Sequence, residues 1–495
     1  MATFTNPVIP GYHPDPSVCR VGDEYFLVTS TFTYFPGVPV FRSRNLVDWT
    51  QIGNVLDRPS QLDLSATVQW SSLGIYAPTI RHHDGRFWMI TTVTGTTGAM
   101  SFYVTAEDPA GPWSDPTPVD VAGIDPDLAW DDEGRCWVHF SGLGGIARAR
   151  IDDTTGQVLE GPEVTWSGTG LQYPEAPHLL QRDGTWYLLI AEGGTERGHA
   201  VSIARGPSPI GPWESDPANP ILSHRSTDHP IQSTGHADLI EAADGTWWLV
   251  ALGTRPRGVT PGFHVLGRET FLAPVEWADG WPVVADLDLE MAAEPPGPRE
   301  PVVEPPRDDF DAPSLHPRWL TVRRPLGDLA SLDTRPGWLT LTGGAATLDS
   351  PEPIFVGRRQ QHHGCRARVM LEADAGVEAG LAVVMDETAH YEVAVIDDRV
   401  LVRARIGPLQ SVVSEAPAPS GATVLVVETR PHGRGGPDAV CLGFEDDAGG
   451  FEVLAELDGR HLSTQMVGGF MGRVIGVYAV GGEAAFDWFD YEPLD

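Results

Sequence analysis

The chain has 495 residues and a formal net charge of −35, from 68 acidic against 33 basic side chains. That balance excludes a phosphate-backbone partner or an anionic membrane surface, because both need Lys and Arg to neutralise charge, and it is compatible with a neutral sugar. Hydrophobic residues make up 41%, enough for sizeable cores, and 55 glycines and 44 prolines fit many turns between short strands.

The opening Met-Ala-Thr-Phe-Thr-Asn-Pro-Val has no basic stretch followed by an apolar run, and no segment of about 18 apolar residues suggests a membrane span. A cytoplasmic protein is therefore expected, acting on short oligomers. Cys19, Cys136, Cys365 and Cys441 lie far apart, without CxxC or zinc-finger spacing, and suit a reducing compartment.

In chain order, one pattern recurs. Gly22-Asp23-Glu24 precedes Tyr25-Phe26-Leu27. Asp84-Gly85 leads to Phe87-Trp88-Met89-Ile90, and Glu133-Gly134 to Cys136-Trp137-Val138. Asp183-Gly184 leads to Trp186-Tyr187-Leu188-Leu189, and Asp244-Gly245 to Trp247-Trp248-Leu249-Val250. Asp-Gly between apolar runs signals a hairpin, since Gly tolerates positive φ in a tight turn. Copies spaced by roughly 50–60 residues approach the repeat length of propeller blades. An all-β fold is expected, with a five-bladed β-propeller over residues 1–291.

Residues 292–306, rich in proline, cannot donate ladder hydrogen bonds regularly and read as a semi-rigid linker. From Asp308-Asp309-Phe310 onward, alternating strands such as Phe451–Leu457 and a more buried one, Val474–Val480, indicate a β-sandwich, jelly-roll-like, over 307–495. It serves either as a sugar-binding module or as a buttress that helps to close the active-site pocket. Phe470, in the Gly-rich run 468–472, is either a loop anchor or a wedge in that pocket.

Stepping back nine residues from the turn glycine reaches equivalent places: Tyr76, Asp125, Glu175 and His236; aligning Asp-Pro in the shorter first copy adds Asp15. In a propeller these face the central mouth. A packed core does not choose three carboxyls, an imidazole and a phenol, because buried carboxylates are costly unless paired or functional. Asp15, Asp125 and Glu175 meet the needs of glycoside hydrolysis: a proton donor, a carboxylate that activates water or attacks, and a third charge that keeps the donor protonated. Metal binding is the rival chemistry. HExxH is absent, and His82-His83 reads as turn polarity; a divalent cation such as calcium near His236 stays open, and no cofactor is required.

Several segments resemble glycoside hydrolase family 43, in its β-xylosidase and α-L-arabinofuranosidase branch with a C-terminal β-sandwich. They are Asn6–Ser17, Ser30–Val38, Ser43–Trp49, Tyr173–His178, Gly235-His236-Ala and Leu266-Gly-Arg268-Glu-Thr, joined more loosely by Arg358-Arg359-Gln360 and Phe486–Tyr491. The resemblance implies inverting, exo-acting hydrolysis of a small oligosaccharide, with Asp15 as general base, Glu175 as general acid and Asp125 as its tuner. It also implies sugar contacts from Arg268 and Phe32, beside Tyr76 and His236, with Gln172 and Tyr173 at the border. Release of xylose from xylo-oligosaccharides is the leading expectation. An α-L-arabinofuranosidase or a bifunctional enzyme is the alternative, and a non-catalytic sugar-binding propeller ranks below both. Tyr76 stands where the close xylosidase pattern shows Trp, Thr79 follows Pro78 where Asp is frequent, and His13 replaces Asn; these departures bear on sugar preference. A homo-oligomer stays open.

Overall fold

The computed structural model describes residues 3–96, 98–302, 304–419, 422–431 and 435–494. It is all-β, and the chain divides into two units: Met1–Thr67 with Leu73–Arg255 and Arg268–Val302, and Val68–Ser72 with Pro256–Gly267 and Val303–Asp495.

Three of the expected hairpin turns have two residues, Gly22-Asp23, Asp84-Gly85 and Asp183-Gly184, between strands. Asp84 and Gly85 take φ of 49° and 74°, and Asp183 and Gly184 50° and 77°, the left-handed pairs that match strand twist. The other two turns are wider, because acidic side chains organise them. Asp131 Oδ1 accepts from the backbone N–H of Glu133 and Arg135, and Asp244 Oδ1 accepts from Thr246 N–H.

Each hairpin extends into an antiparallel sheet of the first unit. The first sheet runs Ser17–Val21, Glu24–Val28, Gly37–Ser43, Thr50–Leu56. In the second, Thr79–His83 and Gly74–Ile75 pair Arg86–Gly95, followed by Gly98–Ala106 and Thr117–Val119. The third is Ile124–Trp130, Cys136–Gly142, Gly145–Ile151, Val158–Trp166, and the fourth Glu175–Arg182, Thr185–Glu192, Ala200–Gly206, Glu214–Ser215. The fifth is Gln232–Glu241, Trp247–Thr254, Glu269–Ala278, Trp281–Val284. Their first strands touch in a closed circle, sheet to sheet and from the fifth back to the first. Buried apolar side chains such as Leu27, Leu189, Val250 and Phe271 fill the spaces between sheets.

The circle is fastened by the chain's start. Phe4–Thr5 pairs with Glu290–Met291, and the Asn6 side chain both donates to Leu272 O and accepts from Leu272 N–H. The proline-rich stretch is also held down: Arg299 makes two hydrogen bonds to Asp48, and Asn45 donates to Pro298 O.

The second unit has two antiparallel sheets. One orders Ala330–Ser331, Leu339–Thr342, Glu483–Pro493, Cys365–Ala373, Thr423–Arg430, Ala439–Glu445 and Phe451–Asp458, with Arg307–Asp308 also on Glu483–Pro493. The other orders Phe355–Arg359, Val474–Val480, Glu378–Asp386, Ala389–Ile396, Arg399–Ile406 and Leu409–Pro417. Strands of the two sheets pack on each other over a core that includes Leu381, Val393, Leu425 and Leu442.

Two pieces that the sequence reading assigns to the first domain group with this second unit. Their polar contacts explain it. Phe470 N–H donates to Ser72 Oγ at 2.9 Å, Val259 N–H to Gly435 O, and Arg473 N–H to Val265 O. Half-buried Phe470 lies 5.9 Å from Trp70, ring to ring, so it anchors its loop on the segment 68–72.

Candidate active site

Asp15, Asp125, Glu175 and His236 all sit where the backbone leaves the regular strand. Asp15, Asp125 and His236 take φ of 58°, 54° and 44°, and Ala176, beside Glu175, takes 52°. In three sheets the register shifts at that point, between Ile124 and Asp127, between Glu175 and His178, and between Gly235 and Asp238. These β-bulges take a residue out of the ladder and re-aim its side chain. Left-handed non-glycine backbone costs on the order of 1–3 kcal/mol, and it accumulates at functional sites.

Asp15 is buried and well supported. Ser30 Oγ donates to Oδ2, and Arg268 Nη1 and His236 Nδ1 each lie 3.4 Å from Oδ1. Burial alone would raise its pKa, but Arg268, then His236 and the Ser30 hydroxyl, outweigh it and leave the carboxyl below the usual range. Asp125 is displaced the other way, well above that range, by burial first and then by repulsion from Glu175 and Asp15; the Ala176 N–H partly offsets this. Asp125 and Glu175 thus lie close enough for the Glu175 carboxylate to be the first charge, after burial, that raises Asp125.

Arg268 also donates to Thr195 Oγ1 at 2.9 Å and lies 5.8 Å above the Phe32 ring. It is not consumed by its neighbour Glu269, which takes two hydrogen bonds from Arg255 and one from Gly11 N–H. Phe32 is buried with its ring 5.1 Å from that of Tyr76. Tyr76 is half-buried, hydrogen-bonded to Thr94, and its phenol is raised mainly by burial. His236 is pushed down to about 4, first by burial, so its imidazole is neutral near pH 7.

The remaining candidates separate. Gln172 folds back, donating from Nε2 to Gly193 O, and Tyr173 is 68% exposed, at the rim. His13 is buried edge-on against Phe41 with Nδ1 3.4 Å from Thr29 Oγ1, and Thr79 is buried in its strand. His83 stacks on Trp130 at 4.1 Å and His82 is exposed, away from the ring.

Sequence reasoning missed two features. His199 is buried, with Nδ1 3.1 Å from Ser233 O and Nε2 3.4 Å from Glu175 Oε1. Its ring occupies the space over Gly235, where a Cβ would lie 2.2 Å from it. With the Nδ1 hydrogen given to the carbonyl, Nε2 presents a lone pair to Glu175, and this contact is attractive only with a proton between them. No turn or spacing rule points to His199.

The second feature is a polar set one step further along the same strands. Arg81 reaches Asp127 Oδ1 at 2.9 Å, Asp238 Oδ2 at 3.0 Å and His178 Nδ1 at 3.1 Å. Ser17 Oγ donates to Asp238 Oδ2, and Leu179 N–H donates to Asp127. The two-residue spacing in Asp125-Pro-Asp127 and His236-Ala-Asp238 was a signal that could have found it.

The profile of the glycosyl hydrolases family 43 matches residues 4–282, and that of the β-xylosidase C-terminal concanavalin A-like domain matches 307–492. A non-reducing end α-L-arabinofuranosidase of Bacteroides ovatus is 40% identical over 518 residues, spanning 100% of this chain and 95% of that protein. A xylosidase/arabinosidase of Butyrivibrio fibrisolvens is 35% identical, over 99% of this chain and 98% of its own length. The crystal structure of a xylan β-1,4-xylosidase from Bacillus halodurans superposes with a TM-score of 0.90 at 33% identity, covering 99% of this chain and 100% of that one.

Proposed function

Because this chain belongs to glycosyl hydrolase family 43 and is a glycosidase, we propose that it is an exo-acting, inverting enzyme on a five-bladed propeller that releases xylose from the non-reducing end of xylo-oligosaccharides. Five sheets with their first strands in a closed circle support the propeller. The observation that carries the chemistry is the opposed tuning of two neighbouring carboxyls: Asp15 lowered by Arg268, His236 and Ser30 against its burial, and Asp125 raised by burial and then by Glu175 and Asp15.

In this reading Asp15 takes a proton from the attacking water, and Arg268, His236 and Ser30 keep it charged and oriented. Glu175 delivers a proton to the leaving oxygen while Asp125, through repulsion, returns the pair to the protonated state. Arg268 offers its planar fork to sugar hydroxyls, and Phe32 and Tyr76 line the apolar side. Around His236 stand two carboxyls, Asp15 and Glu175, and the imidazoles of His178 and His199, a set poor in oxygen for calcium, which takes about 6–8 oxygen ligands. The reaction is therefore written through no metal. Residues 307–495 form the second domain on which activity depends; full activity without them would refute that.

The Bacteroides ovatus relative favours a second reading, release of arabinofuranose, and Tyr76 in place of Trp is compatible with it. Aryl β-xyloside, aryl α-L-arabinofuranoside and linear arabinan, assayed side by side, decide between the readings. The main one expects the xyloside to be cleaved with the highest kcat/KM. Proton NMR of freshly released sugar tests inversion, and a retained anomer would contradict it.

A further inference from the structure

Outside the catalytic ring, a second group of ligand-type side chains gathers in the first unit. His224 is buried, with Nδ1 2.8 Å from Ile231 O, so Nδ1 carries the hydrogen and Nε2 presents a lone pair. That lone pair faces Asp286 Oδ1 at 3.3 Å. The ring of His229 lies 3.9 Å from that of His224, centroid to centroid. Its Nε2 is 3.0 Å from Asp288 Oδ1, and its Nδ1 sits between Ile231 O at 3.2 Å and Ile231 N at 3.1 Å. One ligand atom each from His224, His229 and Asp286 lies within 4.8 Å of the others.

Two carboxylates thus face two imidazoles, and among the described residues no Arg or Lys pairs with either carboxylate. Protonating both rings at that separation would set like charge against like charge. A single divalent ion satisfies the His224 lone pair and both carboxylates at once, and His229 joins it through Nε2 by loss of the hydrogen that now faces Asp288. The carbonyl of Ile231 supplies the outer hydrogen bond that orients a metal-bound imidazole.

We propose that His224, His229 and Asp286, with Asp288 as fourth ligand, form a binding site for a zinc-class divalent ion. Imidazole nitrogen with carboxylate oxygen suits such ions, whereas calcium and magnesium prefer oxygen alone. Tetrahedral bonds of about 2.0–2.1 Å place ligand atoms about 3.4 Å apart. The carboxylates of Asp286 and Asp288 are 75% and 55% exposed, so they can turn inward by the distance this requires.

The location gives the site a task. His224 and His229 lie just before Gln232–Glu241, the strand that carries His236, and Gln232 Nε2 donates to His229 O. Asp286 and Asp288 lie between Trp281–Val284 and Glu290–Met291, the strand that pairs with Phe4–Thr5, and Asp288 O accepts from Asn6 Nδ2. A bound ion would staple the lead-in of the fifth sheet to the closure of the circle.

The test uses the full chain, stripped with chelator and titrated calorimetrically with Zn²⁺, alongside thermal denaturation. One site per chain is expected, with a Tm rise on Zn²⁺ that Mg²⁺ and Ca²⁺ do not reproduce. His229→Ala and Asp286→Asn should each weaken binding by at least about 10–100-fold and remove the Tm rise. Glu175→Gln should leave Zn²⁺ binding intact, which separates this site from the catalytic carboxyls. The proposal is overturned if Zn²⁺ does not bind, if His229→Ala binds it as tightly as the parent, or if only Glu175→Gln loses it.

Discussion

The mouth residues Asp15, Asp125, Glu175 and His236 and the set one step along the same strands, Ser17, Asp127, His178 and Asp238, come from one repeat but meet different electrostatics. In the mouth, Arg268 approaches Asp15, while Asp125 is raised by burial and then by the nearby Glu175 and Asp15 carboxyls. In the neighbouring set a single guanidinium, Arg81, stands between two carboxylates. There Asp238 is lowered because Arg81 and His178 outweigh burial, whereas burial prevails at Asp127 and lifts it to about 6. The same bulged strands therefore supply a reactive ring and a structural one. The difference teaches that burial of a carboxyl does not mark catalysis by itself. What marks it is a carboxyl whose partners are arranged to hold or give up a proton.

The sharpest way to separate the two sets is to remove one member from each and read rate and stability together. Asp15→Ala and Glu175→Ala should each lower kcat by about 10²–10⁴-fold, since that is the scale of general acid or base assistance. The Tm of Glu175→Ala should stay level or rise, because its repulsion with Asp125 is removed, whereas Asp15→Ala strips buried Arg268 of a carboxylate and should lower Tm modestly. A large loss of Tm with proportionate loss of activity would break the distinction.

Arg81→Met should do the reverse. It leaves Asp127 and Asp238 buried without their cation, and breaking a buried pair costs about 3–5 kcal/mol. Denaturant unfolding should show that loss, with residual folded protein keeping most of its kcat. A stable but inactive variant would place Arg81 in the chemistry. Double replacement, Arg81→Met with Asp238→Asn, should recover part of the stability.

Much of this was legible beforehand. The Asp-Gly turns and the nine-residue step placed Asp15, Tyr76, Asp125, Glu175 and His236 at equivalent positions, because turn chemistry is local. What hid His199 is that it comes from the third strand of its sheet and acts across to Ser233, a contact with no sequence period. The grouping of 68–72 and 256–267 with the second unit was hidden for a similar reason: backbone hydrogen bonds to Gly435 and Val265 leave no trace in side-chain pattern. Bulges explain why strict alternation fails for Glu175 and His178, which are three residues apart yet both serve the polar interior.

Acid should sharpen the comparison further, with an effect smaller than that of Arg81→Met near neutrality. His178 and His236 are pushed to about 4 and His139 to about 3, each mainly by burial. Their folded values lie below the unfolded value of about 6.5. Below about 6.5 the unfolded chain binds protons that the fold refuses, so stability falls until the folded values are reached. Asp127 works against this trend. Its raised value means the fold binds a proton between about 6 and 3.8 that the unfolded chain does not, which adds stability over that window. Asp125, also raised, acts the same way; the three imidazoles outweigh the two carboxyls, and Tm should fall by several degrees between pH 6.5 and 4. His178→Asn should flatten the slope in that window, and an unchanged slope would mean that His178 takes up its proton within the fold.

His199 gives the mildest test and the most direct comparison with His178. Both are buried imidazoles whose acceptor nitrogen meets a charged neighbour, Arg81 for His178 and Glu175 for His199. Against Arg81 the nitrogen accepts a permanent donor, so the role is structural. Against Glu175 the lone pair faces a carboxyl, so on the proposed reading it bears on the group that protonates the leaving oxygen. Replacing His199 by Phe keeps the ring over Gly235 but removes the lone pair. It should lower kcat by about tenfold, at the weak end of proton-transfer assistance, and move the alkaline limb of the kcat/KM profile, with little change in Tm. Glutamine, whose side-chain oxygen can accept the same proton, should restore part of the loss. If Phe and Gln variants fall equally and the alkaline limb stays fixed, His199 serves packing alone.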